Sequence, residues 1–201
     1  MGATHPETRE KLIQAATALI FKRGYAHVGI QELCEHAKVK KGSFYHFFAS
    51  KRDLALAALE QHWKSYRLNI EACVSAQMPA FERMELLFNS LHRQYLAAAT
   101  NDQVLTGCAF GTLSMEVSAY DKVLREALER IFEDWAGLFA KFFQDAVNAS
   151  ELPPQIDAHL AGQALLAYLE GVLLLVKTTQ NPNLLQQLKP TRAQFESFGR
   201  P

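Results

Sequence analysis

Two groups of residues carry chemistry. Lys40, Lys41, Gly42, Ser43, Tyr45 and His46 are crowded into one short stretch, with Lys51 a little further on. Lys40, Lys41, Ser43, Tyr45, His46 and Lys51 carry donors suited to phosphate oxygens. Lys40, Lys41 and His46 are also long enough to reach base edges, and Gly42 lets a helix backbone come close to a duplex. The pattern alone describes a solvated helix face equally well. The second group centres on Cys108, which follows Thr106 and Gly107 where a helix is expected to start. Exposed amides and the helix dipole favour a thiolate there, although a lone cysteine is more often a small buried hydrophobe.

Other chemistries find no support. There is no nucleophile elbow, phosphate-binding glycine loop or paired acidic motif. His5, His27, His36, His62, His92 and His159 lack metal-ligand spacing. The expectation is a chain that is not an enzyme, with no metal site and no cofactor. Lysine and arginine balance aspartate and glutamate over the 201 residues, which at first argues against nucleic acid. The distribution reverses this. Residues 1–53 hold nine Lys/Arg against five Asp/Glu, and residues 54–201 hold twelve against sixteen. A basic N-terminal module on an acidic body fits a DNA reader with a separate regulatory part.

Cys34, Cys73 and Cys108 are odd in number and widely spaced, which suggests neither disulfides nor a zinc site and points to a reducing cytoplasm. The start MGATHPETREK is polar, unlike a secretory signal. The apolar run 164–176 is too short to span a bilayer and contains Glu170, so no membrane partner is expected.

Helical periodicity places these residues on elements. A first helix is expected from Pro6 to Arg23, burying Leu12, Ala16, Leu19 and Ile20, with Gly24 as its stop. Ile30, Leu33, Cys34 and Ala37 share one face of a second helix, and Val39 opens a tight turn into a third. Ser50 with Asp53 resembles a cap for a long helix over 51–77, whose Lys51 approaches a DNA phosphate in its first turn. Helices are expected over 81–99, 108–118, 122–148 and 156–178, and a short one over 183–188 closes the fold. The helix over 122–148 has a second apolar stripe of Phe132, Phe139 and Phe143. In the next, Leu160, Ala164, Ala167, Gly171, Leu174 and Leu175 form a broad stripe, and Gly162 and Gly171 allow close helix approach. Two long, broadly apolar helices suggest a four-helix bundle shared by two subunits.

The run KKGSFYHFFASKRDL closely resembles the helix-turn-helix signature of TetR-family transcriptional repressors. The resemblance implies an all-α fold, with a helix-turn-helix DNA-binding domain over 1–53 and a regulatory and dimerisation domain over 54–201. It implies double-stranded operator DNA as partner and a homodimer formed through the last two long helices. Two departures stand out. Relatives commonly carry Thr or Ser where this chain has Gly29, at the cap of the second helix. They usually carry Gly where it has Lys38, which in a left-handed conformation is strained by ~1 kcal/mol.

TGCAFGTLSMEVS is similar to the regulatory domain of the NemR-type subgroup, repressors that respond to reactive electrophiles. That likeness implies a sensing role for Cys108, with Lys177 placed to stabilise its thiolate. The alternative is induction by a reversible small apolar ligand, in a pocket lined by Trp63, Tyr66, Tyr95, Phe110 and Tyr168, aromatics that are otherwise core, and by Glu116, which is otherwise a surface charge. A third class, a helical enzyme or interaction module without DNA, lacks any supporting motif.

Overall fold

The computed structural model describes residues 5–199. Residues 1–4, the beginning of the polar N-terminal segment, lie outside them. The described chain is all-α, with helices α1 His5–Arg23, α2 Ile30–Ala37, α3 Lys41–Phe47, α4 Lys51–Val74, α5 Ala80–Thr100, α6 Ala109–Val117, α7 Lys122–Asn148, α8 Ala158–Thr179, α9 Leu184–Gln187 and α10 Arg192–Phe195. The expected helices are present with small shifts at their ends. Caps explain several boundaries. Gly24 ends α1 at φ +93°. The Asp53 amide donates to Ser50 Oγ at 3.2 Å, whose hydroxyl donates back to the Asp53 carboxylate at 2.9 Å.

The chain forms two compact units, and no single cut after Asp53 produces them. The first joins the described part of Met1–Ser65 to Ala109–Glu129. Leu12, Ile13, Ala16 and Ile20 of α1 are at most 1% exposed, and α1 packs on α2, α3 and α6. A three-helix bundle of this size is marginal alone, and α6 enlarges it. Phe110, Leu113 and Val117 are buried, and the Phe110 ring lies 5.7 Å from Trp63 and 5.2 Å from His62. Each such side chain contributes about 1.5–3 kcal/mol on full burial.

The second unit joins Tyr66–Cys108 to the described part of Arg130–Pro201. Its centre is α7 against α8. Trp135, Phe139 and Phe143 are fully buried, as are Leu165, Leu169 and Val176. Gly162 is where the two helices touch, since a Cβ there would stand 2.6 Å from the Ala136 carbonyl oxygen and the Ala140 nitrogen.

Three expectations change. The stripe on α8 that holds Leu160, Gly171, Leu174 and Leu175 faces outward, while Ala161, Leu165, Leu169, Val172 and Val176 form a separate buried stripe. The helix is thus apolar on two faces. Gly162 serves the approach within the chain, and only Gly171, with nothing within 4 Å, is open to a second helix. Secondly, α8 has 22 residues and is long and apolar enough to cross a bilayer, so the argument from a short run fails. Its buried stripe ties it to α7 instead. Thirdly, α9 does not close the fold. Helix α10 follows, started by a capping box in which Thr191 Oγ1 accepts from the Gln194 amide and Gln194 accepts from the Thr191 amide. It buries Phe195 against Phe142 and Phe143, with centroids 5.7 and 5.1 Å apart.

Candidate nucleic-acid interface and regulatory site

Helices α2 and α3 are fixed from beneath. Leu33, Cys34, Ala37, Phe44 and Phe48 are buried, and burial pushes the Cys34 thiol up, which makes it an inert core residue. Arg9 of α1 sits over the Phe48 ring, 5.5 Å from its centroid. Phe44 is the buried residue of this helix of less than two turns, so its burial turns Lys41, Gly42, Tyr45 and His46 outward. Lys40, Lys41, Gly42, Tyr45 and His46 are exposed and Ser43 is half-exposed. A Cβ added at Gly42 would meet nothing within 4 Å. The face is basic, rich in donors and open, the form a helix needs to enter a major groove.

The departures in the connection have visible consequences. Gly29 caps α2 without a side-chain hydrogen bond. Lys38 adopts φ 56° and ψ 43°, and its amide closes α2 by donating to the Cys34 and Glu35 carbonyls. The left-handed turn that glycine would form without strain is made here by lysine.

Lys51 and Glu116 need correction. The Lys51 ammonium points into the fold, donating to the carbonyls of Tyr25 at 2.8 Å and Val28 at 3.0 Å. It lies 4.2 Å from the centroid of the Tyr25 ring. Desolvation lowers its pKa, opposed by the charge of Glu116. It is therefore a clamp on the α1–α2 connection rather than an arm held out to phosphate. Glu116 does not line a pocket either. Its carboxylate accepts from the amides of Tyr25 at 2.7 Å and Ala26 at 2.6 Å.

In the second unit, the segment leading into Cys108 is tightly held. Gln180 accepts from the Leu105 amide at 2.9 Å and donates to the Leu105 carbonyl at 3.0 Å. Gly107 has φ +68°, and a Cβ there would stand 3.1 Å from both the Leu173 carbonyl oxygen and Lys177 Cβ. The stem of Lys177 thus lies against the residue preceding Cys108. Cys108 itself is half-buried and hydrogen-bonded to Glu170. Burial raises the Glu170 carboxyl, and the bond to Cys108 opposes that rise. Its Oε1 is buried without a hydrogen-bond partner.

The expected pocket residues divide between the units. Tyr66 and Tyr95 belong with Cys108, and both phenols are raised by burial first and then by Cys108 and Glu170. Trp63 and Phe110 pack edge to face in the first unit. The Tyr168 hydroxyl is engaged, donating to the Leu188 carbonyl at 2.8 Å. Sequence reasoning missed Gln180, and it noted Glu170 only as a charge in an apolar run. A lone acid in so apolar a helix was the available signal.

Residues 87–191 match the family model described as "Tetracyclin repressor-like, C-terminal domain". Residues 12–58 match "Bacterial regulatory proteins, tetR family". The transcriptional regulator AcuR of Cereibacter sphaeroides is 30% identical over 183 residues, 90% of this chain and 82% of that protein. The transcriptional repressor NemR of Escherichia coli strain K12 is 31% identical over 128 residues, 63% of this chain and 62% of that protein. The crystal structure of the reduced form of E. coli NemR has a TM-score of 0.80 at 25% identity, covering 95% of this chain and 96% of that one.

Proposed function

Because the chain belongs to the TetR family of DNA-binding transcriptional regulators, we propose that it is a cytoplasmic homodimeric repressor released from its operator by a reactive electrophile or oxidant acting at Cys108. Members of the family bind operator DNA as dimers, so the outward face of α3 is the reading surface. Lys40, Lys41, Ser43, Tyr45 and His46 are its contact residues, and Gly42 is the point of closest approach. Two such helices on one dimer occupy successive major grooves, with half-sites roughly 34–36 Å apart or a multiple of that. The outward apolar stripe of α8, with Leu174 and Leu175 nearly half exposed, supplies the surface that a second subunit covers.

One observation carries the sensing role. Cys108 is half-buried and directly precedes α6, on a segment held by Gln180 and Gly107. A change at the sulfur therefore falls where the backbone cannot yield locally. Likeness to a repressor solved in a reduced form supports a redox or electrophile signal. In alkylation by an activated alkene such as N-ethylmaleimide, Sγ bonds to one alkene carbon as the C=C π bond breaks. The thiol proton passes to solvent or to the Glu170 carboxylate, and the other alkene carbon takes up a proton from solvent. To release DNA, the modified protein must favour the non-binding state.

A second reading, reversible binding of a small ligand, is favoured by the partner of Cys108. That partner is a carboxylate, which opposes a thiolate, and its unpaired Oε1 is an acceptor suited to a ligand donor. Cys108→Ser separates the two. Under the first reading the variant still binds operator but ignores N-ethylmaleimide, while the wild type releases. Unchanged release in the variant rejects Cys108 as the sensor.

A further inference from the structure

The α1–α2 connection is gripped from outside the helix-turn-helix on both of its polar sides. Its donors, the amides of Tyr25 and Ala26, go to separate oxygens of Glu116 on α6, at 2.7 and 2.6 Å. Its acceptors, the carbonyls of Tyr25 and Val28, take the Lys51 ammonium of α4 at 2.8 and 3.0 Å. Gly24 makes room for this grip, since a Cβ there would stand 2.9 Å from Glu116 Oε2, and its φ of +93° disfavours any other residue. A short loop that is largely exposed would ordinarily satisfy its backbone with water. Here a carboxylate and an ammonium replace that water with short, charge-assisted bonds, which fix direction as well as distance.

The gripped segment is short and leads straight into the reading unit. Val28, two residues after Ala26, is 1% exposed, and Gly29 is the cap of α2. There is no slack in which a shift of residues 25–26 could be absorbed before α2. At its other end, α6 begins with Ala109, bonded directly to Cys108.

We propose that Glu116 is a positioning residue for DNA binding: through its two bonds to the Tyr25 and Ala26 amides, α6 sets where the helix-turn-helix stands, so operator affinity depends on a helix outside the reading unit. This rests on the DNA-binding reading but not on Cys108 being the sensor. A carboxylate that merely stabilised the fold would alter the unfolding midpoint and leave the affinity of the folded protein unchanged.

The test uses the full chain and a duplex enriched from a random pool by the wild-type protein, so failure to enrich any duplex would reject DNA reading itself. Glu116→Gln keeps the volume but turns one of the two acceptors into a donor facing an amide. Measured by fluorescence anisotropy well below the unfolding midpoint, its affinity is expected to be at least tenfold weaker at unchanged dimer mass. Binding within twofold of wild type overturns the proposal. A second measurement needs no variant. Operator binding to the wild type is expected to slow amide exchange in residues 109–117 as well as 24–29, and unchanged exchange across 109–117 likewise overturns it.

Discussion

Gly42→Ala separates the two demands on α3 by giving them opposite signs. Gly42 is inside the helix Lys41–Phe47 and exposed, and an added Cβ meets nothing within 4 Å. Alanine in place of glycine within a helix stabilises by about 0.5–1 kcal/mol. For a chain of this size that raises the unfolding midpoint by about 1–4 °C, compared at one protomer concentration because a dimer's midpoint depends on it. The same methyl group projects where the backbone of α3 approaches DNA. Operator affinity is expected to fall at least tenfold, about 1.4 kcal/mol, in a titration by anisotropy. A protein that is more stable yet binds less well cannot be explained by partial unfolding. Affinity within twofold of wild type would refute the close approach of α3, and a lowered midpoint would refute the reading of this position as open helix.

Three further outcomes are expected. Gly107→Ala forces a left-handed residue, at about 1–2 kcal/mol, and crowds the Leu173 carbonyl and Lys177 Cβ, each at 3.1 Å. Its denaturant midpoint should fall, and an unchanged midpoint would contradict the tight seating of the segment before Cys108. Glu170 has its carboxyl raised above the ordinary 4.5 by burial, so the folded protein holds a proton that the unfolded chain releases. Its contribution to stability is present below that value and is lost as pH rises through the raised one. Glu170→Gln should therefore flatten the decline in stability from about pH 4.5 toward neutrality, and an unaltered profile in urea melts would contradict its burial. Leu174→Glu places a charge on the outward stripe of α8, where Leu174 is 48% exposed. Sedimentation should show monomers, and a persistent dimer would reject that face as the interface.

What could be read in advance follows from the range of each interaction. Helical periodicity and local caps act within a few residues, so α1 to α8 are found close to where their stripes and caps place them. The capping box Thr191–Gln194 was also visible in the sequence, yet the four-residue helix α10 that it starts was not expected. Glu116 was illegible for a different reason. Its partners are backbone amides about 90 residues away, and any residue other than proline supplies an amide. Lys51 fits a phosphate contact by position, but its stem reaches the carbonyls of the α1–α2 connection equally well. On α8 both faces are apolar, so hydrophobicity alone does not say which packs within the chain. Gly162, pressed on α7, and Gly171, open, resolve it.

The central claim is that α3 reads DNA with its outward basic face while Lys51 serves the fold. The dependence of operator affinity on salt tests it most directly, because each phosphate contact contributes about 0.9 to the slope of log K against log salt. Lys41→Ala, removing one contact from each subunit of a dimer, should lower the magnitude of that slope by about two. Tyr45→Ala should weaken binding and leave the slope as it was. An unchanged slope in Lys41→Ala, with affinity equal to wild type across the salt range, would contradict the account.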